Sequence, residues 1–243
     1  MAFLYVKLLN IYYTRWESIE KCYIKEWKAI RGMAEIYKFN IREFENPDME
    51  KQMLETISRE NRDTLRRIKN RESYLRSLAG EGMIRQKAAE KTGMNPKQLI
   101  IRKNEYGKPY FLNLPEVHFN ISHSGEWILG ILSEKECGID VELVKEARMD
   151  VAKRFFAKEE YELLLQKEGE KRRALFYELW TLKESYVKYK GMGLALPFHQ
   201  FCFMQNSSGW ELKGKTEESC RFYAVDVAVG YAAYACIGEK RKK

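Results

Sequence analysis

No stretch of the 243-residue chain runs to eighteen apolar residues, so no membrane-spanning helix is expected. Residues 1–13 are apolar but broken by Lys7 and Asn10, and no small-residue cleavage site follows; a signal peptide is not expected. The five cysteines (Cys22, Cys137, Cys202, Cys220, Cys236) are odd in number, widely spaced and free of any C-x-x-C pattern. They read as reduced thiols of a cytoplasmic protein, not as a zinc site or disulfide frame. The absence of G-x-S-x-G removes the serine-hydrolase elbow. Internal repeats and low-complexity linkers are also missing. What is present is a soluble composition, 45% hydrophobic and 32% charged, long enough for one large domain or two small ones. The formal net charge of +8 favours an acidic partner.

In chain order, residues 15–31 read as a helix, and Met33–Ile41 alternates like a strand. Residues 1–32 are an accessory extension or an over-extended start, with Met33 as the alternative initiator. That extension carries six basic and three acidic residues, so without it the charge is +8 − 3 = +5 and the basic character survives. A helix over 49–57 follows Asn46-Pro47. Residues 59–91 form a long basic helical stretch with Gly80 and Gly82 as weak points, each costing ~1 kcal/mol against Ala. Its interleaved acidic residues, and the lack of any helix-turn-helix, RNA-binding or zinc-finger signature, argue against nucleic acid. Leu99–Arg102 is a short strand. Tyr106-Gly107-Lys108-Pro109 is a turn with an exposed cation. Val117–Ile121 and Trp127–Leu132 are strands around a turn at Ser122–Gly125. Helices cover 149–166 and 174–190, and β-structure follows over 200–205, 210–213, 221–229 and 231–237.

The chain is organised around Gly138-Ile139-Asp140-Val141-Glu142. In a strand, Asp140 and Glu142 share one face while Ile139 and Val141 enter a core. Neighbouring carboxylates repel unless a proton or cation intervenes, and the hard cation suited to carboxylates and phosphate is Mg²⁺. An ordinary half-buried edge strand also carries such pairs. On the 174–190 helix, Trp180, Lys183, Glu184, Val187 and Lys188 recur at the spacing of one face, offering a third carboxylate flanked by two cations. Ser122-His123-Ser124 offers hydroxyls, an imidazole and turn amides to a phosphate. Gly209–Thr216 fits the P-loop expression, but its interior, Trp210-Glu211-Leu212-Lys213, alternates like a strand, and it is rejected.

These pieces together resemble the Sfp-type 4′-phosphopantetheinyl transferases. The matching stretches are Tyr106–Pro109, Phe119–Gly125, Gly138–Glu142, Arg154–Tyr161, and Leu179–Lys188 running on to Gly191-Met192-Gly193. The resemblance covers roughly residues 34–238. It implies an α+β (α/β) fold of two similar halves related by a pseudo-twofold, about 33–136 and 137–243, in a monomer with coenzyme A between them. It implies Mg²⁺, with Mn²⁺ as the alternative, on Asp140, Glu142 and Glu184. Lys183 and Lys188 match lysines beside the pyrophosphate, Ser122 and His123 phosphate contacts, and Gly107, Lys108 and Pro109 the nucleotide loop. Glu160 matches the proposed general base. Arg76 and Ser77 fall at the 3′-phosphate and adenosine end. The family's two lysines earlier on that helix are replaced by Asn61 and Thr64, with Arg62, Arg66 or Arg67 as substitutes. The implied reaction moves phosphopantetheine from coenzyme A to a serine of an acidic apo acyl or peptidyl carrier protein and releases 3′,5′-ADP. The carrier is expected near helix 149–166, with Phe155 or Phe156 as an apolar anchor. A binding module without turnover is the alternative.

Overall fold

The computed structural model describes residues 25–30 (backbone only), 33–207, 209–213 and 219–239. Strand β1 (Lys25–Ile30) lies antiparallel to β2 (Ala34–Asn40). Residues 25–30 are therefore strand, not the end of a helix over 15–31. The outer edge of β2 offers unpaired backbone groups, and ladder pairing satisfies them. The rest of the expected helix, over 15–24, lies outside the described residues.

After β2 come α1 (Pro47–Thr56), α2 (Arg59–Leu65) and α3 (Arg71–Thr92). Next are the short pair β3 (Ile101–Lys103) and β4 (Pro109–Phe111), then the hairpin β5 (His118–Ser124) and β6 (Trp127–Ser133). Asn46 and Asn70 cap α1 and α3 by accepting from Asp48 N and Ser73 N. The basic stretch breaks at 66–70, before the Asn70 cap, and not at Gly80 or Gly82. Those two glycines are packing sites within α3: a Cβ on Gly80 would lie 2.9 Å from Ile121 Cγ2, and one on Gly82 2.7 Å from Met53 Sδ.

The second half holds β7 (Cys137–Leu143), α4 (Met149–Phe155), α5 (Lys158–Leu165) and α6 (Gly169–Lys190). It continues with the pair β8 (Cys202–Asn206) and β9 (Gly209–Lys213), then β10 (Cys220–Ala224) and β11 (Tyr231–Gly238). The expected helix over 149–166 is interrupted at Phe156-Ala157, both buried. Residues 209–213 of the rejected P-loop match are strand β9, and 214–216 lie outside the described residues.

The sheets run β1-β2-β6-β5 and β10-β11-β7, all pairs antiparallel. The halves share one connectivity. In the first, strand β2, a 22-residue helix, then β5 and β6 give the order β2-β6-β5; in the second, β7, a 22-residue helix, then β10 and β11 give β7-β11-β10. Between the two sheets lies a shared core. Ala34, Ile36, Leu129 and Ile131 come from one; Ile139, Val141, Ala233, Ala235 and Ile237 come from the other. Burying one such Ile or Val contributes roughly 1.5–3 kcal/mol. Because side chains alternate, committing Ile139 and Val141 to this core turns Gly138, Asp140 and Glu142 to the opposite face, toward α6.

Candidate active site

Helix α6 approaches β7 at Gly138 so closely that a Cβ there would sit 2.1 Å from Ser185 O and 2.3 Å from Tyr189 N. Both are backbone atoms of α6, so no side-chain rotation can relieve the clash. Gly138→Ala is expected to push the helix off the strand and cost about 1–3 kcal/mol or more. A lowered melting temperature, together with transfer lost beyond the unfolded fraction, would check it.

The close approach sets Glu184 and Lys188, one turn apart on α6, against the carboxylates of β7. Lys188 Nζ donates to Asp140 Oδ1 at 2.6 Å and to Ser122 Oγ at 2.9 Å. Burial and the neighbouring Asp140 charge push Glu142 up; burial, Asp140 and Glu142 together push Glu184 up to about 7, with Lys188 opposing. The three acids therefore share one electrostatic environment. They do not close on a single point: among the described residues no three His, Cys, Asp or Glu side chains form a finished metal cage. Asp140 turns to Lys188 and Ser122, and Glu142 to Ser124. Yet Asp140 Oδ2 is buried with no hydrogen-bond partner. A buried carboxylate oxygen without a donor is costly, and a hard cation would satisfy it. The donor set, all carboxylate oxygen, fits Mg²⁺ or Mn²⁺.

Strand β5 closes the other side. Ser122-His123-Ser124 is strand, not turn; the hairpin turns on Gly125 (φ 54°) and Glu126 alone. Its amides are thus unavailable as a turn cradle for phosphate. Alternation points Asn120, Ser122 and Ser124 at β7, where they accept from the amides of Ile139 (3.0 Å), Val141 (3.4 Å) and Leu143 (3.1 Å). Side chains here replace a backbone ladder and join the halves. Ser122 and Ser124 also donate to Asp140 Oδ1 and Glu142 Oε2, each at 2.8 Å. His123 is exposed; partial burial of its ring and the Arg76 charge hold it below the ordinary imidazole range. Arg76 donates from Nε to Gly125 O at 2.9 Å and pairs with Glu72, while Ser77 beside it on α3 is half-buried.

Comparison with known proteins puts this geometry in a family. Two family models match: "4'-phosphopantetheinyl transferase superfamily" over residues 136–236 and "4'-phosphopantetheinyl transferase, N-terminal" over 46–136. A 4′-phosphopantetheinyl transferase of Bacillus subtilis is 41% identical over 160 residues, 66% of this chain and 71% of that protein. The chain belongs to the 4′-phosphopantetheinyl transferase family. The transferase Sfp of Bacillus subtilis (strain 168) is 36% identical over 183 residues, 74% of this chain and 81% of its own. The transferase gsp of Aneurinibacillus migulanus is 35% identical over 181 residues, 74% and 76%. Among solved structures, holo-[acyl-carrier-protein] synthase of Thermotoga maritima matches with a TM-score of 0.38 and 25% identity, covering 44% of this chain and 64% of that one.

Three of the residues expected at the site of this transferase are engaged elsewhere in its structure. Lys183 does not stand in the cleft: its side chain is fully buried, 2.8 Å from Glu160 Oε2 and 2.9 Å from both Phe198 O and Phe201 O. An ammonium has three hydrogens, and these partners occupy them all. Adjacent residues on a helix differ by about 100°, so Lys183 faces the core while Glu184 faces β7. Phe201 packs against the same ammonium, 4.4 Å from ring centroid to Nζ. Glu160, expected as the general base, is buried beside that ammonium. It pairs with Lys183 and accepts from Phe203 N (2.8 Å) and Ala157 N (2.9 Å); burial pushes Glu160 up and Lys183 down.

The third lies in the Gly107-Lys108-Pro109 loop. Lys108 is not an exposed cation: Nζ binds Glu136 Oε2 (2.7 Å), Tyr189 O (2.9 Å) and Cys137 O (3.1 Å), bracing the C-terminal end of α6. Asn104 Nδ2 adds a bond to Gly191 O at 2.9 Å. Gly107 (φ 92°) makes the turn, and Pro109 opens β4. Burial alone would raise Glu136, but His118 and Lys108 outweigh it and bring it down from 4.5 to about 2. Its folded value is depressed, so its contribution is complete above about pH 4.5 and lost as pH falls toward 2. Urea midpoints of wild type and Glu136→Gln should therefore converge across that window.

The positions read as replacing two family lysines are engaged elsewhere. Asn61 Nδ2 donates to Glu81 Oε1 at 2.6 Å, and Thr64 Oγ1 to Glu60 O at 3.4 Å. Arg62 binds Ile57 O and Arg66 binds Asp63. Phe155 is 41% exposed under the Arg154 guanidinium, whereas Phe156 is core, stacked on Phe176. Sequence reasoning missed Asn120 and Ser124 as a seam, although their i, i+2, i+4 spacing with Ser122 was there to read.

Proposed function

We propose that the carboxylates facing each other across β7 and α6 form the cation centre of a coenzyme A-dependent 4′-phosphopantetheinyl transfer to carrier proteins. The protein is a transferase of this type, and the residues assigned to its steps are our reading. The observation that carries the reading is Asp140: buried, held on Oδ1 by Lys188 and Ser122, and left without a donor on Oδ2. Asp140, Glu142 and Glu184 would hold Mg²⁺, or Mn²⁺. When bound, such an ion clamps pyrophosphate oxygens and neutralises charge building on them.

The chain's own groups do the rest. Lys188 sits beside Asp140 and can shift toward an incoming phosphate, stabilising charge on the leaving 3′,5′-ADP. His123 and Arg76 line the β5 side, where the anionic nucleotide end would lie. The carrier serine oxygen attacks the β-phosphate of coenzyme A. As folded, the carboxylate of Glu160 is occupied by Lys183 and two amides, so the serine proton would pass to solvent water as the serine oxygen bonds to phosphorus and the bond to 3′,5′-ADP breaks. Net charge +8, with Lys153, Arg154 and the exposed ring of Phe155 on α4, suits an acidic carrier docking there. Among the described residues no helix is long and apolar enough to cross a membrane. We read the enzyme as a cytoplasmic monomer without a nucleic-acid partner.

The test is intact-mass analysis of several apo carriers incubated with coenzyme A, with and without Mg²⁺. A metal-dependent mass gain on at least one is expected. Coenzyme A binding with no product on any carrier would instead make the protein a binding module.

A further inference from the structure

The orientation of Glu142 depends on one hydrogen bond from the other half of the molecule. Asp140 is fixed twice, by Lys188 and by Ser122. Among the described residues Glu142 is fixed by Ser124 alone, whose Oγ donates to Oε2 at 2.8 Å and accepts from Leu143 N at 3.1 Å. Oε1 makes no hydrogen bond among the described residues. Ser124 is itself held rigidly. It is the last residue of β5, and the turn that follows is pinned by Arg76 Nε on Gly125 O and by Glu126 N on Tyr231 OH at 3.2 Å. A Cβ on Gly125 would meet Tyr231 OH at 2.3 Å, so the turn packs directly against β11.

We infer that Ser124 is a positioning residue that orients Glu142 for the cation, an inference that rests on the proposed metal centre. A hydroxyl that donates to one carboxylate oxygen leaves the other turned to the ion and lowers the cost of ordering it on binding. Such outer partners are worth about 10–100-fold in metal affinity. Because Ser124 belongs to the first half and Glu142 to the second, the bond also makes cation affinity depend on the seam between halves.

The test is Mn²⁺ titration of the purified full-length chain, followed by the electron paramagnetic resonance of free Mn²⁺, with Mg²⁺ as competitor. Ser124→Ala should weaken Mn²⁺ binding about 10–100-fold. The Mg²⁺ concentration for half-maximal transfer should rise by a similar factor, more than kcat falls, while the KM for coenzyme A stays put. Ser124→Thr keeps the hydroxyl and should recover wild-type binding. Ser124→Cys, which folds with nearly unchanged volume and donates weakly, should fall between. If Ser124→Ala binds Mn²⁺ like wild type while Asp140→Asn does not, the role of Ser124 is refuted and the metal centre stands. If wild type takes up no Mn²⁺ that Asp140→Asn abolishes, both fail. A fall in melting temperature with all constants moving together would mean a structural role only.

Discussion

Asp140→Asn is expected to lower phosphopantetheinyl transfer by on the order of 10²–10⁴-fold while the protein stays folded. An ion at a phosphoryl oxygen supplies several kcal/mol of charge stabilisation, and each 1.36 kcal/mol is tenfold in rate. The amide matches the carboxylate in shape and can still accept from Lys188 and Ser122 on its oxygen. Its nitrogen would take the place of Oδ2, the atom left bare in the structure, and cannot ligate a hard cation. Removing the negative charge gives up the Lys188 ion pair but relieves the repulsion that, after burial, raises Glu142 and Glu184, so the fold should hold. Circular dichroism melts beside single-turnover transfer assays would check both halves of the prediction. Transfer within tenfold of wild type would remove Asp140 from the proposed cation centre.

Lys183→Met should be among the most destabilising single changes in the chain, costing roughly 3–5 kcal/mol. It strands the Glu160 carboxylate, fully buried, with two amide donors and no counter-charge. For a chain of this length that is a drop in melting temperature of roughly 6–20 °C. The double change Lys183→Met with Glu160→Gln should return part of the loss, since it removes the stranded charge and the amide oxygen still accepts from one of Phe203 N and Ala157 N. The same double variant separates two roles for the pair. If Lys183 and Glu160 only hold α5, α6 and β8 together, the folded double variant transfers at close to the wild-type rate. If they take part in chemistry, as the family resemblance implies, it folds and is inactive.

Much of the site was legible because strand periodicity is strict. A period of two placed Asp140 and Glu142 together and Ile139 and Val141 in the core, and the structure keeps that division. The same rule applied across Ser122–Ser124 would have shown the seam, but the dense polar run ending in Gly125 imitates a turn. Helix periodicity is more forgiving and misled: a stripe wide enough to include Trp180 and Lys188 also admits Lys183, which the aromatic residues of a later segment, Phe198 to Phe203, draw into the core. Lys108 looked free because its partners, Glu136 and the carbonyls of Cys137 and Tyr189, are distant in sequence. Local pattern carries no record of such long-range partners, and residues 25–30 changed from helix to strand for the same reason.

The shared connectivity of the halves has a consequence for how the enzyme behaves on dilution. The groups proposed to act on coenzyme A come from β5 and α3 on one side and β7 and α6 on the other, all within a single polypeptide. Their encounter is intramolecular, so bringing these proposed groups together needs no second copy of the chain. Specific activity should therefore stay level as the enzyme is thinned to nanomolar working strength.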